Sequence, residues 1–253
     1  DAPDLIPAWN RFVAEHKHGW FFHTSAWLAY QRAYRSENAD ESFAVLRGDG
    51  SVVAVAPLIV SKGVEGAPEF SFSGTPTPRL LHHPREGRFD PPGLHAVFED
   101  QRQRVAKKHG VARGVFGGWA TDDDSNADST ITQRIILLTD PEPTLWRGVR
   151  KSYKALIHRG EERYGFGVHG GNNDDAVIGF ALYQQLHRTL YGDPRSGGTY
   201  AAQGAWLVDG AALVVTAVPL VRNPVVPAQP VSRGAAYCIV YKRSAYYASG
   251  AYA

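Results

Sequence analysis

The chain has one cysteine, Cys238, among its 253 residues. A single thiol excludes an intramolecular disulfide and any cysteine-built metal site, and it fits a reducing, cytoplasmic setting. Methionine is missing altogether; methionines left out of the sequence as selenomethionine would account for that. Long apolar runs are missing too. The two longest, VVAVAPLIV at 52–60 and AALVVTAVPLV at 211–221, are too short to span a bilayer, and each contains proline. The opening residues, DAPDLIPAWNRF, lack the basic start and apolar stretch of a secretory signal. Charge of one sign is not in excess: 27 Lys and Arg against 25 Asp and Glu leave +2. That balance excludes bulk coating of nucleic acid and leaves room for one local anion site. No phosphate-loop or dinucleotide fingerprint occurs, and no nucleophile elbow.

What is present is the mix of a soluble globular protein, with 43% hydrophobic and 21% charged residues. The chain is long enough to bury a proper core. Periodicity predicts helices over 4–16 and 25–35, the second with Trp27, Tyr30 and Tyr34 at helical spacing and Ser25 or Thr24 as its cap. The strand-like runs SFAVLRG and SVVAVAPLIV meet across Asp49-Gly50, a hairpin signal that rules out an all-parallel sheet. A strand PEFSFSG and a Pro-rich loop TPTPRLLHHP follow. The next helix, GLHAVFEDQRQRVAKKHG, has Leu94, Val97, Phe98 and Val105 on one face and Gly110 as its stop. Strands VARGVFGGW and TITQRIILL flank a polar loop at 121–126, which lacks the spaced ligands of a calcium loop.

The stretch DPEPT at 140–144 breaks the pattern and places a domain boundary there. Beyond it come a basic helix, a short strand FGVHG, helices near 176–191 and 199–208, a strand AALVVTAV, a Pro- and Val-rich loop and two closing strands. Each half reads as helices followed by a meander, an α+β arrangement. The final SAYYASGAYA reads as the middle of a sheet, so the expectation is that the second domain is incomplete.

The basic helix holds most of the chain's local charge. From Arg147 to Arg163 six Lys or Arg face two Glu, a net of +4. On a helical wheel Trp146, Val149, Tyr153, Leu156 and Ile157 gather on one side, and Arg147, Lys151, Lys154 and His158 on another, with Arg150 at the border. One side can pack while the other presents cations a turn apart, a row suited to phosphate or carboxylate. The alternative is a solvated helix face. Gly165, after the helix, reads as its stop and not as part of a phosphate cradle, which needs a glycine turn ahead of a helix.

The segment LWRGVRKSYKALIHRGEERYGFGV resembles the basic helix of the Fem family, the peptidoglycan-branching aminoacyl-transferases within the GNAT-like acyltransferases. FFHTSAWLAYQRAYR resembles the family's first-domain entry helix. LYQQLHRTLYGDPRSGGTYAAQGAWLVDGAALVV is similar to its second-domain helices and first strand, and SAYYASGAY to the strand before its last helix. The resemblance implies two GNAT-like domains, 1–140 and 141–253, each a mixed, mostly antiparallel sheet flanked by helices. It implies amide-bond formation on an amine acceptor, with aminoacyl-tRNA as donor and no cofactor. Acyl-CoA as donor, or a non-catalytic anion- or RNA-binding protein on the same fold, are the alternatives. The acceptor would be an anionic or peptide-like small molecule. The implied substrate-binding residues are Trp27, Gln31, Arg35, Arg150, Lys151, Lys154 and Tyr247. Gln31 departs from the family, which often has Lys there on the acceptor's phosphates.

Attack of an amine on an activated ester needs orientation, loss of a proton and a stabilised oxyanion, but no protein nucleophile. No catalytic residue can be named from the sequence. His187 is either a base or a structural imidazole. His16, His18, His82 and His83 lack a nearby carboxylate cluster, which argues against a metal site. Tyr237, Tyr241, Tyr246, Tyr247 and Tyr252 line a cleft or pack across strands. Cys238 reads as a small buried residue.

Overall fold

The computed structural model describes residues 5–63, 65–73, 75–82, 91–117, 140–192, 195–220 and 233–252. The strand expected at TITQRIILL, the loop at 121–126, His83 and most of the Pro- and Val-rich loop lie outside these residues. Helix α1, Leu5–Glu15, buries Trp9, Phe12 and Val13, the i, i+3, i+4 stripe of an amphipathic helix. A short 3-10 turn at Phe21–His23 leads into α2, Ser25–Tyr34. Its cap is Thr24, whose hydroxyl accepts from the Trp27 amide at 3.3 Å.

The first-half strands are short: β1 Ala39–Asp40, β2 Phe43–Leu46, β3 Val52–Ala56, β4 Ile59–Lys62, β5 Pro68–Phe70, β6 Thr77–Pro78 and β7 Leu81–His82. After helix α3, Pro91–His109, come β8 Arg113–Gly114 and β9 Phe116–Gly117. The expected hairpin forms between β2 and β3, with Phe43 opposite Ala56, and Gly50 supplies its left-handed residue at φ 83°. The run 52–60 is not one strand. Pro57 has no amide to continue the ladder, so β3 joins β2 and β7 while β4 joins β1, β5 and β8. Leu94 and Val105 of α3 are buried as read, and Phe98 stacks on Phe43. Val97 sits at the margin of that stripe and points to solvent.

The second half opens with α4, Glu142–Gly148, and α5, Lys151–Arg163. The sequence reads these as one helix. The backbone instead turns extended at Val149 and Arg150, with ψ near 130° and 141°. Strand β10, Tyr164–His169, is followed by α6, Asp174–Tyr191, α7, Gly197–Val208, and the strands β11 Ala212–Pro219, β12 Gly234–Tyr241 and β13 Ser244–Tyr252. Gly165 is not the helix stop. It lies within β10 opposite Val218. The sheet runs β10-β11-β12-β13, antiparallel throughout, and α6 packs on all four strands. Gly179 of α6 permits that approach, since a side chain there would collide with His169. The architecture is a mixed α+β one with seven α-helices among the described residues.

An aromatic seam joins the halves. Phe21 and Tyr30 belong to the same buried cluster as Tyr183, Trp206 and Tyr237. Phe22, Trp27 and Tyr241 pack against this cluster and also against the one formed by α1, β3 and β4.

Candidate functional site

The seam is where polar groups collect. Tyr30 of α2 stacks on Trp27, with ring centroids 5.0 Å apart. Across from it, Arg195 enters from the turn between α6 and α7. Its guanidinium donates to the Tyr183 hydroxyl at 2.8 Å and to the Gln203 side-chain oxygen at 3.2 Å. The Tyr183 hydroxyl also pairs with Ser249 at 2.6 Å, and the Tyr237 hydroxyl donates to the Gln203 carbonyl at 2.7 Å. Ser196, the cap of α7, bonds the Ala33 carbonyl of α2 and so ties the turn to the first half. Burial raises the Tyr30 phenol to about 12 and pushes Tyr237 up as well.

No carboxylate pairs with Arg195 among the described residues. A half-buried guanidinium offers five donors, and its partners here are neutral oxygens. Such a group retains a full unit of charge in a site of reduced dielectric, which favours a carboxylate or phosphate ligand. Two further groups lack partners, one in the seam and one beyond the end of α2. The Trp27 indole N–H and the Asn38 side-chain oxygen are buried without hydrogen bonds. Each would be satisfied by a ligand or an ordered water.

His187 stands beside this cluster, its Nδ1 3.2 Å from the Tyr200 hydroxyl. Burial, with Arg195 adding repulsion, lowers its pKa to about 4. At neutral pH it is an uncharged imidazole and a weak base. This favours its structural reading over a general-base role.

The residues expected to bind substrate fall into two groups. Trp27 lies in the seam. Gln31, one turn on, is buried and its side-chain oxygen accepts from Ser73 at 3.4 Å. Arg35 is exposed just beyond α2, its guanidinium 5.8 Å from the Tyr34 ring. Arg150, Lys151 and Lys154 are on α5, which packs on β10, the edge strand at the far end of the sheet from β13. Arg150 and Lys151 are exposed, and Lys154 lies over the Trp146 ring at 5.5 Å. The wheel's apolar side does not pack as expected: no residue of α5 is buried, and Tyr153, Leu156 and Ile157 face solvent. Tyr247 is exposed on β13, while its neighbour Tyr246 turns the other way onto Phe22. Of the other tyrosines, Tyr237 is core and Tyr252 is exposed.

His16, just after α1, is hydrogen-bonded to backbone through both ring nitrogens. His16 contacts the His82 carbonyl at 2.8 Å, and its Nδ1 accepts from the His18 amide at 3.1 Å. Among the described residues no three His, Cys, Asp or Glu side chains gather as a metal site would require.

No family model matches the sequence, and no curated protein matches it. Among solved structures the chain is similar to the crystal structure of FemX, with a TM-score of 0.56 at 13% identity, over 97% of this chain and 78% of FemX. At that identity the likeness is one of fold. The chain therefore has the fold of FemX.

Proposed function

We propose that this protein is an aminoacyl- or acyl-transferase that forms an amide bond on an amine acceptor, with the anionic group of a substrate held by Arg195 in the seam between two GNAT-like domains. The observation that carries the reading is the Arg195 guanidinium, supported by neutral oxygens only. The Trp27 indole and the Asn38 side chain supply a donor and an acceptor for the substrate's neutral polar groups. The resemblance of its sequence segments to the Fem family makes aminoacyl-tRNA the donor of first choice. In the reaction the amine nitrogen attacks the ester carbonyl, the new C–N bond forms, and the ester C–O bond breaks. The amine's proton leaves with the tRNA hydroxyl. The ester is already activated, so holding the two reactants in line can supply much of the rate.

The test is a transfer assay with charged tRNA, and separately with acyl-CoA, against a panel of amines that carry a carboxylate or phosphate. Product that requires charged tRNA supports the proposal. Product with acyl-CoA alone moves the donor assignment, and absence of product with either leaves a binding protein. Arg195→Ala should lower kcat/KM by roughly thirtyfold, the worth of a charged hydrogen bond. The loss should be largest for acceptors bearing the anion. An equal loss across neutral and anionic acceptors would sink the assignment of Arg195.

A further inference from the structure

We propose that α5 and the adjoining edge of the second sheet form a surface that docks on an anionic membrane. This inference is independent of the transferase reading. Tyr153, Leu156 and Ile157 of α5 are 55%, 53% and 38% exposed, and Phe166 and Val168 of β10 are 57% and 67% exposed. These are not scattered side chains. At about 100° per residue, Tyr153, Leu156, Ile157 and Gly160 share one face of the helix. Gly160 places that face against Phe166, since a side chain there would touch the Phe166 ring at 3.9 Å. Phe166 and Val168, two residues apart on β10, point to the same side of the sheet. The helix stripe and the strand edge therefore make one apolar patch.

Charge selects the occupant. Lys154 lies on one side of the helix stripe, with Glu161 at an angle between the two, and Arg159 and Arg163 border it on the other, while Arg147, Arg150 and Lys151 lie at the N-terminal end. Among the described residues none of these six cations is in an ion pair with a carboxylate. Of the two carboxylates in the segment, Glu161 is held by His158 at 3.2 Å. An apolar stripe flanked by Lys and Arg is the pattern of a helix lying in the plane of a lipid interface. Anionic headgroups complement the cations, and the acyl boundary takes the leucine, isoleucine and aromatic rings. RNA would use the cations but leave the five exposed apolar side chains in water. A second copy of the chain would bring like charges together. Among the described residues no helix is long and apolar enough to cross a membrane, so the contact is with its surface.

The experiment is vesicle co-sedimentation of the whole 253-residue chain. Phosphatidylcholine vesicles are compared with vesicles that also contain phosphatidylglycerol, at low and high salt. The expected result is binding to the anionic vesicles, weakened by salt, with little binding to the neutral ones. The pair Leu156→Ser and Ile157→Ser keeps the charge and should lower affinity by about tenfold or more. Lys151→Glu with Lys154→Glu should have a similar effect. No side chain of α5 is buried, so far-ultraviolet circular dichroism should be unchanged in both variants. Independently, a Tyr153→Trp indole should be quenched by brominated acyl chains. Three outcomes overturn the proposal: no vesicle binding at low salt; binding insensitive to the Leu156 and Ile157 changes, with no quenching; or a wild-type dimer in solution that those same changes dissociate. RNA binding that survives loss of the apolar pair, in place of vesicle binding, assigns the cations to RNA and also overturns it.

Discussion

His23 is a neutral imidazole held inside the first half. Its Nδ1 accepts from the Trp20 amide at 3.2 Å, and burial lowers its pKa from 6.5 to about 4. Between those values the unfolded chain takes up a proton that the folded chain refuses. The stability present above pH 6.5 is therefore lost progressively as pH falls toward 4. The full gap is worth about 3 kcal/mol. Denaturant unfolding at pH 7 and pH 4 should show the loss, and His23→Gln should shrink it by most of that amount. A loss of the same size in the variant would mean that other groups set the acid sensitivity, His187 first among them. Neither His23 nor Arg195 was legible as special in the sequence. Arg195 sits in a polar turn, YGDPRSGG, with nothing local to mark it. Its meaning comes from Tyr183, Gln203 and Tyr30, which reach it through tertiary packing. The available hint was the recurrence of tyrosine at 183, 191 and 200 on either side of that turn. Trp27, by contrast, is placed on a helix by its spacing and named as a substrate residue by the family resemblance; the fold puts it in the seam.

Single elements were read well where propensity, capping and burial agree. Asn173 caps α6 by accepting from the Ala176 amide at 2.8 Å, and α6 buries Ala176, Gly179, Tyr183 and Leu186 along one face. The alternation of β11 and β12 is equally plain. The reading failed where a local break interrupts a continuous pattern, as at Pro57, or at Gly148-Val149, where a glycine and a β-branched residue end α4 within a good helical stripe. It also treated an amphipathic stripe as a packing stripe. The wheel holds for Tyr153, Leu156 and Ile157, but the break at Val149-Arg150 puts Trp146 against Lys154 and His158 on the other side, and periodicity does not say what covers the stripe. The start of α5 is poorly supported: Arg150 is its cap residue, no side chain caps it, and its first turn holds no acidic residue. Arg150→Asp would supply a capping oxygen and place a negative charge at the positive end of the helix dipole. We expect this change to raise stability by about 1 kcal/mol, read as a higher midpoint of thermal unfolding. An unchanged or lower midpoint would show that the N-terminal turn of α5 is not limited by its missing cap.

The whole molecule is held by contacts that no local pattern encodes. Phe21, Phe22 and Trp27 meet Tyr241, Tyr246 and Trp206 respectively, residues about two hundred positions away in the chain. The turn between β12 and β13 adds a second tie. Lys242, at φ 54°, extends its ammonium back to the first half and donates to the Val13 carbonyl at 3.0 Å and the His16 carbonyl at 2.7 Å. Those carbonyls end α1, so a cation from the second half sits at the negative end of a first-half helix. Sequence reading could order the elements but could not see this closure, because each half carries only one side of it. The consequence is cooperativity. A shared aromatic seam should make the two halves unfold together, with secondary and tertiary signals falling in one transition. Lys242→Met keeps the aliphatic stem and removes the charge, leaving the Val13 carbonyl without this donor and the His16 carbonyl with only the Gly19 amide. It should cost about 2 kcal/mol and shift the midpoint while keeping a single transition, because the seam itself is untouched. Two separated transitions in the wild-type chain would show that the seam does not couple the halves. A single wild-type transition that splits only in Lys242→Met would assign the coupling to this one ammonium instead of the aromatic contacts.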